Sequence, residues 1–506
     1  GAHLSNKPAM LNSLCTIQIQ SSTGTSKIGS SSYVGSVQLF SPSLTDSNKT
    51  TIGLNYGSFN TVRLFGEYNS GLLKDKAIYI RASETFSEGY KYNSSNHSQS
   101  LFISGGLFNE KSTWKLNFLV GHQQNELAWL GVSDSMINVD RRTNANIGEY
   151  DNFLQTITQI QNSWYPNANS SIQWSMYNTF LKGDYDFNLN GFLGLPSTDE
   201  MYNYAFKSNL IGFFTNYNID KKNVNFVAGV HGNIYNRTHV GSEKSMGQLY
   251  ENTGYKNEIS GFAKLDYTFR WFNVFGDIQL RHTSFDYVGD VAFNQLKWSF
   301  INPKVGVSFQ ANPQSIIYYS VGNTGREPTR NDIFGGNDNL ISDTSGRALI
   351  VIKTPEYVLN HELGVRYSSD KLRFNVNFFY MSFNNEIVLN GKFGPNGLSL
   401  TNSVERSIRS GVELSLTYHI NKHISIINNS SYNYSKIKEQ NEEFSPILTP
   451  LFIVNQEFVY QNKVFLFSIG GKYQQKSFID FGNTSTINGY FTINSRIDLT
   501  FGRVWL

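Results

Sequence analysis

The chain has a single cysteine, Cys15, so it can form no intramolecular disulfide and no cysteine-rich metal site. It has no apolar run near the ~20 residues that a spanning helix needs, which excludes a helical membrane protein. Neither sign of charge dominates: 42 Lys and Arg stand against 39 Asp and Glu, dispersed along the chain. That leaves no basic stripe for nucleic acid. There is no Gly-x-Ser-x-Gly elbow, no phosphate loop and no His-Glu-x-x-His. Without such a constellation the chain does not read as an enzyme. No cofactor is implied. His122, Glu126, Asp134, His231 and His239 fit no compact metal motif, and no metal is expected. The chain starts at Gly1 without a signal peptide, as a mature secreted form or a fragment would.

What the chain has is alternation. Aromatics are abundant, with 29 Tyr and 38 Phe, and these suit strands and membrane-interface girdles. Leu372, Phe374, Val376, Phe378 and Tyr380 share one face, with Arg373, Asn375 and Asn377 on the other. Val412, Leu414, Leu416 and Tyr418 likewise oppose Glu413, Ser415, Thr417 and His419. This period of two is strand grammar. It predicts strands near 50–57, 60–69, 77–88, 98–108, 112–123, 151–164, 169–182, 206–219, 223–237, 255–269, 271–285, 296–311, 314–323, 356–368, 371–384, 406–419, 423–435, 448–460, 463–476 and 488–502.

The connections select the architecture. Short turns, such as Asp220-Lys221-Lys222, Arg270-Trp271 and Asn312-Pro313-Gln314, alternate with long ones near 124–150, 183–205, 238–254, 286–295, 324–354, 385–405, 436–447 and 477–487. In an up-and-down barrel every short turn then falls at one rim and every long loop at the other, as in outer-membrane barrels. The fold expected is all-β: a large antiparallel transmembrane barrel over 46–506, of about 20 strands, with long extracellular loops. Two more strands would complete a 22-stranded wall, so the C-terminus is expected to be incomplete. Residues 1–45 differ. Short strands at 14–20 and 37–40 flank a Gly/Ser-rich stretch and predict a small β-turn-β unit.

These residues resemble the TonB-dependent outer-membrane receptors, in the form common in Bacteroidetes. The N-terminal stretch, with Ile17-Gln18-Ile19-Gln20 and Tyr33-Val34-Gly35-Ser36-Val37, is similar to the end of the family's plug, although Ser21-Ser22 stands where an Arg-Gly pair is usual. Ala128-Trp129-Leu130-Gly131-Val132 with Arg141-Arg142-Thr143-Asn144 resembles the third extracellular loop. Tyr235-Asn236-Arg237-Thr238-His239-Val240-Gly241 resembles the end of a middle strand. The most specific likeness runs from Ile301-Asn302-Pro303-Lys304 through Arg326-Glu327-Pro328-Thr329-Arg330-Asn331-Asp332 to Glu362-Leu363-Gly364. The resemblance implies that residues 1–45 end a plug whose remainder, with its motor-binding segment, lies outside this sequence.

It also implies import of a scarce, bulky solute. The solute expected is a ferric siderophore or another iron chelate, driven by the TonB-ExbB-ExbD motor and sometimes assisted by a surface lipoprotein. A glycan or peptide importer of the same family and a passive pore are the alternatives. Ligand contacts are expected at the mouth from Trp129, Arg141, Arg142, His239, Tyr250 and Arg326, since arginine forks pair with anionic chelate groups. Arg326, Glu327, Arg330 and Asp332 alternate in sign and are expected to brace the barrel as an ion-pair network.

Overall fold

The computed structural model describes residues 16–21, 35–195, 201–394, 397–439, 442–501 and 504–505. Cys15 lies outside them. At the N-terminus β1 (Thr16–Ser21) pairs antiparallel with β2 (Gly35–Phe40) as a separate two-stranded sheet. The wall opens with β3 (Lys49–Gly57), β4 (Thr61–Asn69), β5 (Lys76–Ser87), β6 (Asn96–Phe108), β7 (Ser112–Glu126), β8 (Tyr150–Asn167) and β9 (Ser170–Phe187). It continues through β10 (Tyr202–Lys221), β11 (Val224–Glu243), β12 (Gly247–Phe269), β13 (Phe272–Val288), β14 (Leu296–Asn312), β15 (Ser315–Arg326) and β16 (Glu356–Ser368). Then come β17 (Leu372–Phe393), β18 (Ser399–His419), β19 (Ile424–Glu439) with its short partner β20 (Glu442–Phe444), β21 (Phe452–Gln461) and β22 (Phe465–Gln474). A small loop sheet of β23 (Ser477–Phe478) and β24 (Thr486–Ile487) precedes β25 (Tyr490–Phe501) and β26 (Val504–Trp505). The sheet closes on itself, with β26 standing between β25 and β3. Every strand expected from the sequence is present.

Why this chain makes a barrel is legible on one strand. On β13 Ile278 and Leu280 are 45% and 56% exposed, while Gln279 and Arg281 between them are 4% and 5% exposed. On β14 Ile301 is 63% exposed between buried Phe300 and Asn302. The apolar side chains point outward and the polar ones inward. In water this would be inside out; in a bilayer it is the low-energy arrangement, because closure pairs every backbone group within the wall. No helix among the described residues is long and apolar enough to cross a membrane.

Two expectations change at the long-loop rim. The connection expected at 238–254 is mostly strand: β11 runs to Glu243 and β12 restarts at Gly247. At 385–405, likewise, β17 and β18 reach Phe393 and Ser399. Strands of 20–23 residues far exceed the ~9–11 that cross a bilayer. Above the lipid both faces meet water, so the alternation lapses while pairing continues; sequence periodicity loses the strand there.

The second change concerns the 324–354 connection, which reads as polar but folds inward as a small core. A single helical turn, α3 among the three helical turns α1 (Asp134–Val139), α2 (Leu189–Phe192) and α3 (Arg330–Ile333), opens it. Thr329 and Asp332 close a capping box on α3. Ile333, Phe334 and Leu340 from the loop are 0–2% exposed, packed on Phe285 and Tyr287 of β13 and Trp298 and Phe300 of β14. Gly335 and Gly336 turn the chain after α3 with φ of +60° and +83°. The left-handed backbone at Gly336 is what requires glycine there.

Candidate functional site

The inward faces of β8–β11 converge at the long-loop rim, and their register assembles an aromatic cleft. Tyr185 pairs with Asp151 on one side and Tyr204 on the other. Gly183 separates Phe153 from Phe206 in the same way, and Phe206 is opposite His239. A Cβ on Gly183 would fall 2.2 Å from Phe153 Cδ1. The missing side chain lets Phe153 and Phe206 meet across it at 5.1 Å between ring centroids. Tyr185 and Tyr204 stack at 5.2 Å and 27°. Arg237, two residues from His239 on the same face, holds its guanidinium 4.3 Å from the Phe206 ring centre. Leu127 and Trp129 close one edge and Asp338 another, around a volume of about 240 Å³.

Asp338 belongs to the inward-folded loop and fixes it to the wall. His239 Nδ1 lies 2.9 Å from its carboxylate, Tyr250 donates its hydroxyl at 2.6 Å, and Arg330 approaches at 3.3 Å. Arg330 also donates to Asn252 Oδ1 at 2.8 Å. Burial works to raise the Asp338 pKa, but the His239 hydrogen bond and the charges of His239 and Arg330 outweigh it. The carboxyl is held well below the usual carboxylate range. Below the cleft, Arg281 bridges Glu258 at 3.0 Å and Glu327 at 2.6 Å, with all three side chains 3–5% exposed. Lys256 adds a second cation to Glu327. Burial opposes ionisation of Glu327, yet Lys256 and Arg281 keep its pKa below normal.

The mouth residues expected from the sequence are thus scattered. Trp129 and His239 line the cleft, and Tyr250 supports it through Asp338. Arg326 lies elsewhere, ion-paired to Glu356 in a second hollow that also includes Glu386 and Arg409. Arg141 and Arg142 are exposed and outside the cleft; Arg142 donates to the Tyr90 carbonyl at 2.9 Å and covers the Tyr92 ring. The sequence cluster Arg326, Glu327, Arg330 and Asp332 does not pair within itself. Arg326 and Glu327 reach charges on β16, β12 and β13, and Arg330 reaches Asp338 further along its own loop, because a tight turn sends successive side chains in different directions. Asp332 takes no ion pair among the described residues: it caps α3 and accepts from Thr401 at 2.6 Å. Among the described residues no three metal-binding side chains cluster.

Sequence reasoning missed Arg237, Phe153, Tyr185, Tyr204 and Phe206. The signal was parity. Arg237 and His239 sit two apart, as do Tyr204 and Phe206, so each pair shares a face. Which face was hidden by the lapse of alternation above the lipid.

Comparison with known proteins agrees with the geometry. Residues 36–505 match the family described as TonB dependent receptor-like, beta-barrel. No curated protein sequence matches the chain. Among solved structures it is similar to the ferric citrate transporter FecA in its unliganded form, with TM-score 0.80 at 13% identity, covering 95% of this chain and 75% of that one. It is similar also to the ferric yersiniabactin uptake receptor FyuA from Yersinia pestis, with TM-score 0.77 at 13% identity over 96% and 77% of the two chains. The copper transporter OprC gives TM-score 0.79 at 11% identity over 96% and 79%. At these identities the likeness establishes the shared fold. The chain belongs to the TonB-dependent receptor family: it is a multi-pass β-barrel of the Gram-negative outer membrane and, as in that family, a transporter rather than an enzyme.

Proposed function

We propose that the chain imports an iron chelate across the outer membrane, energised by the TonB-ExbB-ExbD motor. The observation that carries this reading is the cleft at the long-loop mouth, where stacked aromatic rings and Arg237 line one small volume. Such a surface binds the organic shell of a chelate through rings and an anion-pairing fork. A metal held by its own chelator needs no protein ligand. Structures of ferric citrate and ferric yersiniabactin receptors share the fold.

Residues 1–45 are read as the end of a plug. In support, β1 and β2 form a sheet apart from the wall. Leu44 is 3% exposed against Ala77, Tyr79 and Phe102, and Lys115 donates to Ser41 at 3.1 Å. The chain thereby runs along the lumen wall before entering β3. The Bacteroidetes-type motifs and a surface lipoprotein partner belong to the same reading.

The test is growth under iron limitation. A strain lacking this receptor should lose growth on its cognate ferric chelate, and loss of the motor should reproduce the defect. Uptake that persists at full rate without the motor would overturn active import in favour of a passive pore.

A further inference from the structure

We infer that Lys182 and Lys207, on the lipid side of the wall, bind the phosphate of an outer-leaflet lipid. Lys182 of β9 and Lys207 of β10 stand directly opposite each other in the ladder. Parity sets their face. Tyr185 and Tyr204 are likewise opposite and line the inward cleft, and each lysine lies three residues from its tyrosine, so both lysines point outward. Both are exposed. The same face carries Met176, Ile211 and Phe213, which are 56%, 49% and 43% exposed. Height follows from strand length. Tyr217 shares this face near the short-turn rim, ten residues from Lys207. Ten residues make about 33 Å of strand at ~3.3 Å each. At the usual ~35–45° tilt that is about 25 Å of height, the full depth of the apolar band. The two ammonium groups therefore stand where hydrocarbon gives way to headgroups, on the long-loop side.

At that level the pair is a double positive charge without a counter-charge. Like charges directly opposite in a ladder repel. The lysines that take ion pairs among the described residues are Lys256, Lys264 and Lys438. Lys207 has only the Phe180 ring, 5.9 Å away. The next residues across the ladder are neutral, Leu154 beside Lys182 and Thr238 beside Lys207. The acids above them on β9, Asp184 and Asp186, are both held by the Asn203 amide, at 2.9 and 2.8 Å. A phosphate placed between the two lysines turns the repulsion into two charge-assisted pairs. The surroundings select a lipid over a free anion. Leu154 flanks the pair and Phe180 lies below it on the same face, so acyl chains attached to the phosphate meet apolar surface. Free phosphate would use the cations alone. The site is independent of what the barrel imports, since it lies on the opposite face of the wall.

The experiment is native mass spectrometry of the full chain in a neutral detergent, titrated with dioleoylphosphatidic acid, dioleoylphosphatidylcholine and inorganic phosphate. Phosphatidic acid should bind at least tenfold tighter than phosphatidylcholine. Lys182→Gln combined with Lys207→Gln should abolish that preference, and arginine at both positions should keep it. Lys222→Gln, at the short-turn rim, should leave it unchanged. All variants should show the heat-dependent gel shift of a folded barrel. Phosphatidic acid should also raise the denaturant midpoint of the unmodified chain and leave that of the double glutamine variant where it was. Equal binding of the two lipids, or a preference that survives in the double glutamine variant, would overturn the site. Displacement of phosphatidic acid by an equal concentration of inorganic phosphate would assign the pair to a free anion and overturn the lipid.

Discussion

At the scale of single residues, the interior of this barrel is held by charges that are buried and paired. Arg281 faces two carboxylates with almost no exposed surface on any of the three side chains. Removing one partner of such a set leaves the others uncompensated, which costs about 3–5 kcal/mol. Arg281→Ala is therefore expected to reduce the folded fraction strongly, read as a loss of heat-modifiable barrel on gels and of surface abundance. Arg326→Ala should act in the same direction but less, because the Arg326 side chain is 38% exposed while Glu356 is 2% exposed. Abolished ligand binding at wild-type abundance in Arg326→Ala would contradict this. The charged segment around Arg326 was visible in the sequence, but its pairings were not. Arg281 comes from β13, Glu356 lies opposite Arg326 on the next strand, and Asp338 follows Arg330 by eight residues in the loop, so strand register and the fold of the loop, not sequence order, set the pairs. For the same reason Arg237 passed as one motif letter among others until its strand acquired an inside.

At the scale of elements, the most consequential piece is the loop between β15 and β16. Its apolar residues Ile333, Phe334 and Leu340 are buried on the wall, and Asp338 ties it to β11 and β12. The loop is thus docked. Because the folded-state pKa of Asp338 is depressed, its contribution is fully present above the unfolded value near ~3.9. That contribution disappears only as pH falls through the lower folded value. Limited proteolysis should therefore find residues 327–355 equally protected at pH 7 and pH 5, with cleavage at pH 7 appearing in Asp338→Asn. Rapid cleavage of the unmodified chain at pH 5 would show that another group governs docking. The strands themselves were readable from alternation because lipid and lumen impose opposite demands on neighbouring residues. Where strands rise above the bilayer that demand ends, and so did the legibility of β11, β12, β17 and β18.

At the scale of the whole molecule, the wall is defined by its outer surface. Leu280 lies midway along β13 and is 56% exposed toward the lipid. An arginine there meets hydrocarbon, at a cost of about 2–4 kcal/mol near the midplane. Leu280→Arg is expected to lower folding efficiency into lipid vesicles by that amount, measured by denaturant titration. An unchanged titration midpoint would place this strand position away from the bilayer core.

Along the wall, each long strand is hydrogen-bonded to the strands before and after it in the chain, and only the meeting of β26 with β3 joins distant parts. Pairing in the wall is therefore between strands adjacent in the chain, which keeps the loops to be closed short until the last step. The ring can grow hairpin by hairpin and is committed only when its two ends find each other. Excising one complete hairpin preserves the parity of the remaining strands and permits a narrower ring. Excising a single strand reverses the direction of everything after it and leaves no antiparallel seam to zip.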